Sequence, residues 1–241
     1  MKSTVKSYNR EFYATQMTGS GQSARKVLPL VCDWIRPTTA IDVGCGVGTW
    51  TSELLRLGVD AIGVDGAWVQ ESMLAMPPER FIRSDLETLT ASDLGRKFDL
   101  CVSLEVAEHL SPDAGDGFVQ LLTSLAPVVL FSAAIPGQAG AQHINERWQS
   151  YWADRFKVRG FASFDAVRPR IRGDKDVEWW YRQNIILYVD SAVSASLPGA
   201  VSGHLASPAS LDLVDPVLYK VANTSTRRMI KNLLGRIFRQ S

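Results

Sequence analysis

The chain has 241 residues, 46% of them hydrophobic and 21% charged, with a net charge of +1. That balance fits one sizeable α/β domain with appendages and argues against a molecule that binds polyanions over its whole surface. The three cysteines, Cys32, Cys45 and Cys101, are odd in number and lack metal-type spacing, so buried, reduced, cytosolic thiols are expected.

Residues 1–36 read as an N-terminal helical segment. Apolar positions in SARKVLPLVCDWI recur at helical spacing, with Ser23 as N-cap and Pro37 marking the end. The stretch before it, with Tyr8, Arg10 and Tyr13, is placed to close as a lid. Residues 37–190 then alternate. TTAIDV is a buried strand, TWTSELLRLG a helix stopping at Gly58, VDAIGVD a second strand, RFIRSDL a third and KFDLCVSL a fourth. PDAGDGFVQLLTSLAP is a helix between prolines, VVLFSAAIP a fifth strand and ERWQSYWADRF another helix. FASFDAV and WYRQNIILYV are late strands with no helical pattern between them. Alternation of this kind indicates a Rossmann-like, doubly wound sheet with helices on both faces, and the late pair suggests an antiparallel edge.

Residues 191–216, rich in Ser, Ala, Gly and Pro, read as a linker in which His204 is solvated. Residues 217–241 carry Lys220, Arg227, Arg228, Lys231, Arg236 and Arg239 but no acid, and Ile230, Leu233, Leu234, Ile237 and Phe238 fall on one helical face. Such a basic amphipathic tail suits an anionic membrane surface or a protein partner, or it packs on its own domain or a second subunit. With no signal-like segment and no apolar run of about 18 residues, the expected location is cytoplasmic, with the tail able to hold the protein at the inner face of the membrane.

The strongest signal is IDVGCGVG. Asp42 precedes Gly44, Gly46 and Gly48 at a strand-to-helix turn, where missing β-carbons let backbone approach a ligand closely. A dinucleotide fingerprint needs a third glycine where Thr49 stands, so the turn suits a ligand without phosphates. Asp65 ends the second strand, where a carboxylate can accept both hydrogen bonds of a ribose diol, and Asp85 ends the third.

Together AIDVGCGVG, GVD, SDL and SLEVAEHL resemble the class I S-adenosylmethionine-dependent methyltransferases over roughly Ala24 to Asp190. The resemblance implies a seven-stranded sheet with its last strand antiparallel. It also implies that Gly44, Gly46 and Gly48, with Asp42, border the amino-acid part of S-adenosylmethionine, that Asp65 holds the ribose, and that Asp85 and Leu86 frame the adenine. S-adenosylhomocysteine would be the product.

SLEVAEHL places Glu105, Glu108 and His109 at the end of a buried strand, where charge is costly unless exposed, paired or used. If the chain turns helical after Leu104, Glu105 faces Glu108 and His109. One reading makes His109 or His143 a general base for a hydroxyl, with Glu105 toward the cofactor and Glu108 orienting the ring. A second makes Glu105, Glu108, His109 and His143 ligands of a divalent metal. E-x-x-E-H with a later histidine resembles small-RNA 2′-O-methyltransferases and quinone-biosynthesis O-methyltransferases. A third has Glu108 and His109 merely cap and solvate a helix end.

His143 lies in a pliable segment, AIPGQAGAQHINERWQSYW, that resembles a group of bacterial methyltransferases associated with polysaccharide functions. Trp148, Tyr151 and Trp152 could stack on a sugar or aromatic acceptor, or face the core, and Asn145 and Glu146 could bond an acceptor hydroxyl or cap the helix. Arg170, with Arg168, Arg172 and Lys175, could grip an anionic acceptor. The expectation is O-methylation of a sugar, glycan or other small-molecule hydroxyl. An RNA 2′-O-methyltransferase, an N- or C-methyltransferase and a non-catalytic docking module are the alternatives, with nucleic acid disfavoured by the near-neutral charge.

Overall fold

The structure, a computed structural model, describes residues 10–224. Helix α1 (Arg10–Ile35) leads into β1 (Thr39–Val43), α2 (Thr49–Arg56), β2 (Asp60–Asp65), β3 (Phe81–Arg83), α3 (Ala91–Leu94) and β4 (Leu100–Leu104). There follow α4 (Gly115–Leu125), β5 (Val128–Ser132), α5 (Gln149–Val158), β6 (Phe161–Phe164), α6 (Arg168–Ile171), α7 (Trp179–Asn184), β7 (Ile186–Asp190), α8 (Gly199–Ser202) and β8 (Leu205–Ala206).

The strands form one sheet in the order β3-β2-β1-β4-β5-β7-β6-β8. β1 to β5 are mutually parallel, so Val43, Asp65, Arg83, Leu104 and Ser132 all end at one edge. β7 runs antiparallel between β5 and β6. The central strands are buried on both faces and read as continuous apolar runs, as parallel strands between two helical layers must. On β4, Leu100, Val102 and Leu104 pack under α1 and α2 with Val27, Leu28, Trp50 and Leu54. Cys101 and the β5 residue Phe131 face the other way, toward Phe118 and Leu122 of α4 and Trp152 and Phe156 of α5.

Four expectations need correction. Ser23 is no N-cap: α1 begins well before it, and its hydroxyl, wholly buried, donates to the Gly19 carbonyl and accepts from the Glu178 amide. The two late strands are not a simple hairpin, because α6 and α7 intervene and WYRQN is helical. The sheet has an eighth strand, since residues 191–216 do not behave as a linker: β8 pairs with β6, and Val201 and Leu211 are fully buried. Small residues suit that segment because it packs closely on the sheet and on α5, where Ser150 binds Asp212 through backbone and hydroxyl. The His204 carbonyl there accepts the Asp165 amide. Finally, Asp85 lies beyond the end of β3, exposed, with its side chain capping the Glu87 amide.

All three cysteines are free, Cys45 and Cys101 buried and Cys32 half-buried. Of the lid residues, Tyr8 lies outside the described part, while Arg10 and Tyr13 fall in α1. In the tail, residues 216–224 are helical, and Arg227 to Arg239, with the apolar face beginning at Ile230, lie outside the described residues. No helix among the described residues is long and apolar enough to cross a membrane.

Candidate active site

After β1 the chain turns through Gly44, Gly46 and Gly48, each with positive φ (82°, 54° and 82°). An L-residue is strained there, and two of the three positions are also crowded. A β-carbon on Gly44 would overlap Val106, and one on Gly48 would overlap Met76. Gly46 instead faces open space, and its amide donates to Asp65 Oδ2 at 2.6 Å. Asp65 Oδ1 accepts the Gly66 amide at 2.6 Å, so the carboxylate joins the ends of β1 and β2. Burial pushes its pKa up while the two amides hold it down. Each of its oxygens keeps a lone pair for a ligand hydroxyl, which fits a ribose diol. Asp42, by contrast, is buried and bonded to the Thr51 hydroxyl at 2.9 Å. Burial raises its pKa to about 7. It braces the turn from below and lines no open space. Leu86 is buried beside the exposed Asp85.

At the end of β4 the chain does not become α-helical. Glu105 adopts φ 57°, a rare conformation for a residue with a side chain, and only Ala107–His109 form a 3-10 turn. The Glu105 amide is met by the Ser132 carbonyl and hydroxyl at 3.0 and 3.1 Å. Its carboxylate accepts Gln138 Nε2 at 2.8 Å and Asn184 Nδ2 at 3.1 Å. These amides come from the segment after β5 and the end of α7, and nothing in the sequence motif pointed to them. Gln183 extends the network, donating to Gln138 at 3.0 Å and accepting the Asp215 amide at 2.8 Å. The supposed linker thus helps to hold Glu105.

The reversed backbone turns Glu108 inward. It is wholly buried, with the Ala134 backbone and the Glu105 carboxylate beside it, and neither carboxylate oxygen has a well-formed hydrogen bond among the described residues. Burial, then the facing Glu105 carboxylate, pushes its pKa well above the usual range. This overturns the reading of Glu108 as a solvated cap. His143 Nε2 lies 4.0 Å from Glu108 Oε1, and the His143 ring meets His109 edge to face at 4.9 Å between centroids. Desolvation, then the facing His143, lowers the His109 pKa to about 4. One ligating atom from each of Glu108, His109 and His143 falls within 4.8 Å of the others. A buried carboxylate beside two imidazoles is a donor set that fits a divalent cation. Glu105, the fourth expected ligand, is not within this 4.8 Å group, and its carboxylate is held by amide donors.

The loop between β5 and α5 carries His143 to this place. Ile144 and Asn145 amides both donate to the Glu108 carbonyl, at 2.9 and 3.0 Å. Asn145 is buried with its amide on the Ala107 carbonyl, so it clamps the loop and has no surface to offer an acceptor. Trp152 is 1% exposed and packs on Phe131, which makes it core and no stacking platform. Trp148 is 40% and Ile144 61% exposed, on the same loop as His143. Arg170 is exposed on α6 and takes no part in the cluster. Its neighbour Arg168 is committed to the fold, forking onto Asp165 and capping the Gln183 and Leu211 carbonyls.

Residues 16–167 match the family model described as a methyltransferase domain. The chain belongs to that family. It has the fold of S-adenosylmethionine-dependent methyltransferases. It is 35% identical over 98 residues to a ubiquinone biosynthesis O-methyltransferase of Azorhizobium caulinodans, covering 38% of this chain and 36% of that one. A namesake from Methylobacterium is 32% identical over 113 residues, covering 44% of each. The chain therefore spans less than half the length of these curated relatives. Among solved structures it resembles magnesium protoporphyrin IX methyltransferase from Synechocystis with bound S-adenosylmethionine (22% identity, 76% of this chain and 86% of that one, TM-score 0.51). It also resembles DesVI of Streptomyces venezuelae (14% identity, 79% and 100%, TM-score 0.55). These structural likenesses speak for the fold.

Proposed function

We propose that this protein transfers the methyl group of S-adenosylmethionine to a hydroxyl oxygen of a small molecule, beside a divalent cation held by Glu108, His109 and His143. The observation that carries this is the wholly buried Glu108 carboxylate, with no well-formed hydrogen bond to either oxygen among the described residues and facing two imidazoles at the C-terminal edge of the sheet. A charge so placed is sustained only by a counter-charge or by taking up a proton.

Bound S-adenosylmethionine supplies an electrophilic methyl group, and a divalent cation supplies charge that lowers the pKa of a neighbouring hydroxyl and fixes its direction. The chain does the rest. Asp65 and the glycine turn hold the ribose and amino-acid parts of the donor, and Asp85 with Leu86 frames the adenine. Glu108 and the two imidazoles set where the acceptor oxygen rests. The exposed Ile144 and Trp148 offer apolar faces to an acceptor with a ring, whether sugar or aromatic. That the curated relatives are named as O-methyltransferases supports oxygen as the methylated atom.

One observation favours a second reading. His143 Nδ1 lies 3.0 Å from Glu146, the arrangement of a histidine base oriented by a carboxylate. Transfer of labelled methyl into a fractionated extract of the native cell, with and without EDTA and with Mn²⁺ or Mg²⁺ restored, separates the two. Label in a small-molecule or glycan fraction that vanishes with EDTA and returns with the cation is expected. Label indifferent to EDTA would replace the cation with His143 as base, and label in RNA would overturn the acceptor class.

A further inference from the structure

The geometry points to Glu146 as a positioning residue that sets the tautomer and direction of the His143 ring; the inference rests on the reading of Glu108, His109 and His143 as one ligand group. Glu146 is the hub of its loop. Its Oε2 accepts the Gly137 amide at 2.8 Å, and its Oε1 accepts both the Ala139 amide at 2.9 Å and His143 Nδ1 at 3.0 Å. A carboxylate that already accepts two amides is an acceptor, so the shared proton belongs to Nδ1. In the neutral ring this tautomer leaves Nε2 with a lone pair, and Nε2 is the atom turned toward Glu108.

The loop is bent to make this contact. Gly137, Ala139 and Gln142 all have positive φ (85°, 58° and 63°), and two of the three carry a β-carbon, which such backbone disfavours. Gly140 leaves the space in which the His143 ring lies, since a β-carbon there would overlap it. Asn145 fastens the far side of the loop to Ala107. Strain at two residues, a missing side chain at a third and a shared carboxylate all serve one ring orientation. A histidine ligand is commonly fixed in this way, by a carboxylate on its other nitrogen.

The test is long-range ¹H–¹⁵N correlation of the ¹⁵N-histidine-labelled full chain without added metal, at about pH 8, where an ordinary imidazole is neutral. His143 is assigned through His143→Gln. The wild type should show His143 protonated on Nδ1, and Glu146→Ala should shift it to Nε2 or a mixture. Glu146→Gln, which keeps an acceptor oxygen for Nδ1–H, should retain the wild-type tautomer. Titration of the same proteins with Mn²⁺ should give roughly 10–100-fold weaker binding for Glu146→Ala and a smaller loss for Glu146→Gln. An Nε2-protonated His143 in the wild type, or a tautomer unmoved in Glu146→Ala, would overturn the inference. Equal losses of Mn²⁺ binding in both variants with the tautomer kept in Glu146→Gln would overturn it too, in favour of a mere loop staple. If the tautomer responds as expected while the wild type binds no Mn²⁺, the role of Glu146 stands and the cation reading falls.

Discussion

His143 Nε2 faces Glu108 Oε1 at 4.0 Å, beyond hydrogen-bond reach. The two residues come from different strand ends, β4 and β5, and meet because the amides of Ile144 and Asn145 hang the His143 loop on the Glu108 carbonyl. Backbone pairing sets the distance, and the side chains inherit it.

Glu108→Gln should abolish cation binding and leave the cation-free protein at least as stable. The amide keeps the shape of the carboxylate and removes a charge that burial opposes. Calorimetric titration with Mn²⁺ beside thermal denaturation checks both halves. A clear fall in melting temperature would give Glu108 a structural role instead.

Asp65→Ala should weaken S-adenosylhomocysteine binding by about tenfold or more, because a ligand contact and the acceptor of two backbone amides go together. Titration calorimetry measures the loss, and circular dichroism shows whether the sheet survives. Binding within a factor of two of wild type would remove Asp65 from the donor site.

Asp42 gives a pH signature. Its folded pKa of about 7 lies above the unfolded value of about 4, so the folded state holds the extra proton between them. The stability it contributes is full at low pH and is lost as pH rises through about 7. Asp42→Asn should therefore gain on the wild type from about pH 5 to about pH 8, by roughly 2 kcal/mol. The Thr51 hydroxyl can still donate to the amide oxygen. Urea denaturation across that range tests it, and a difference independent of pH would contradict it.

The two tryptophans of the α5 region should separate cleanly. Trp152→Ala should cost about 3–5 kcal/mol, the usual loss for a buried aromatic. Trp148→Ala should leave stability nearly unchanged and raise KM for the acceptor. Denaturant melts and acceptor titrations distinguish them; a stability loss at Trp148 as large as at Trp152 would make both core.

Much of this protein was legible in the chain. Short-range patterns carry the alternation of strands and helices, the glycine turn and the carboxylate that ends β2, because apolar period and positive-φ requirements act over a few residues. Those patterns sufficed for the fold and for the place of Gly46 and Asp65. They failed where a partner distant in sequence decides. Only the folded chain shows that Trp152 is core, that Asn145 clamps a loop, and that Gln138 and Asn184 hold the Glu105 carboxylate. The left-handed turn at Glu105 was hidden for the same reason: glutamate has no local preference for it, and it is held by Ser132 and those amides. Residues 191–216 had linker composition, yet a two-residue edge strand and buried Val201 and Leu211 tie them to the sheet. Composition records what a segment would do alone in water, whereas burial and hydrogen-bond partners exist only once the sheet has brought distant strands together.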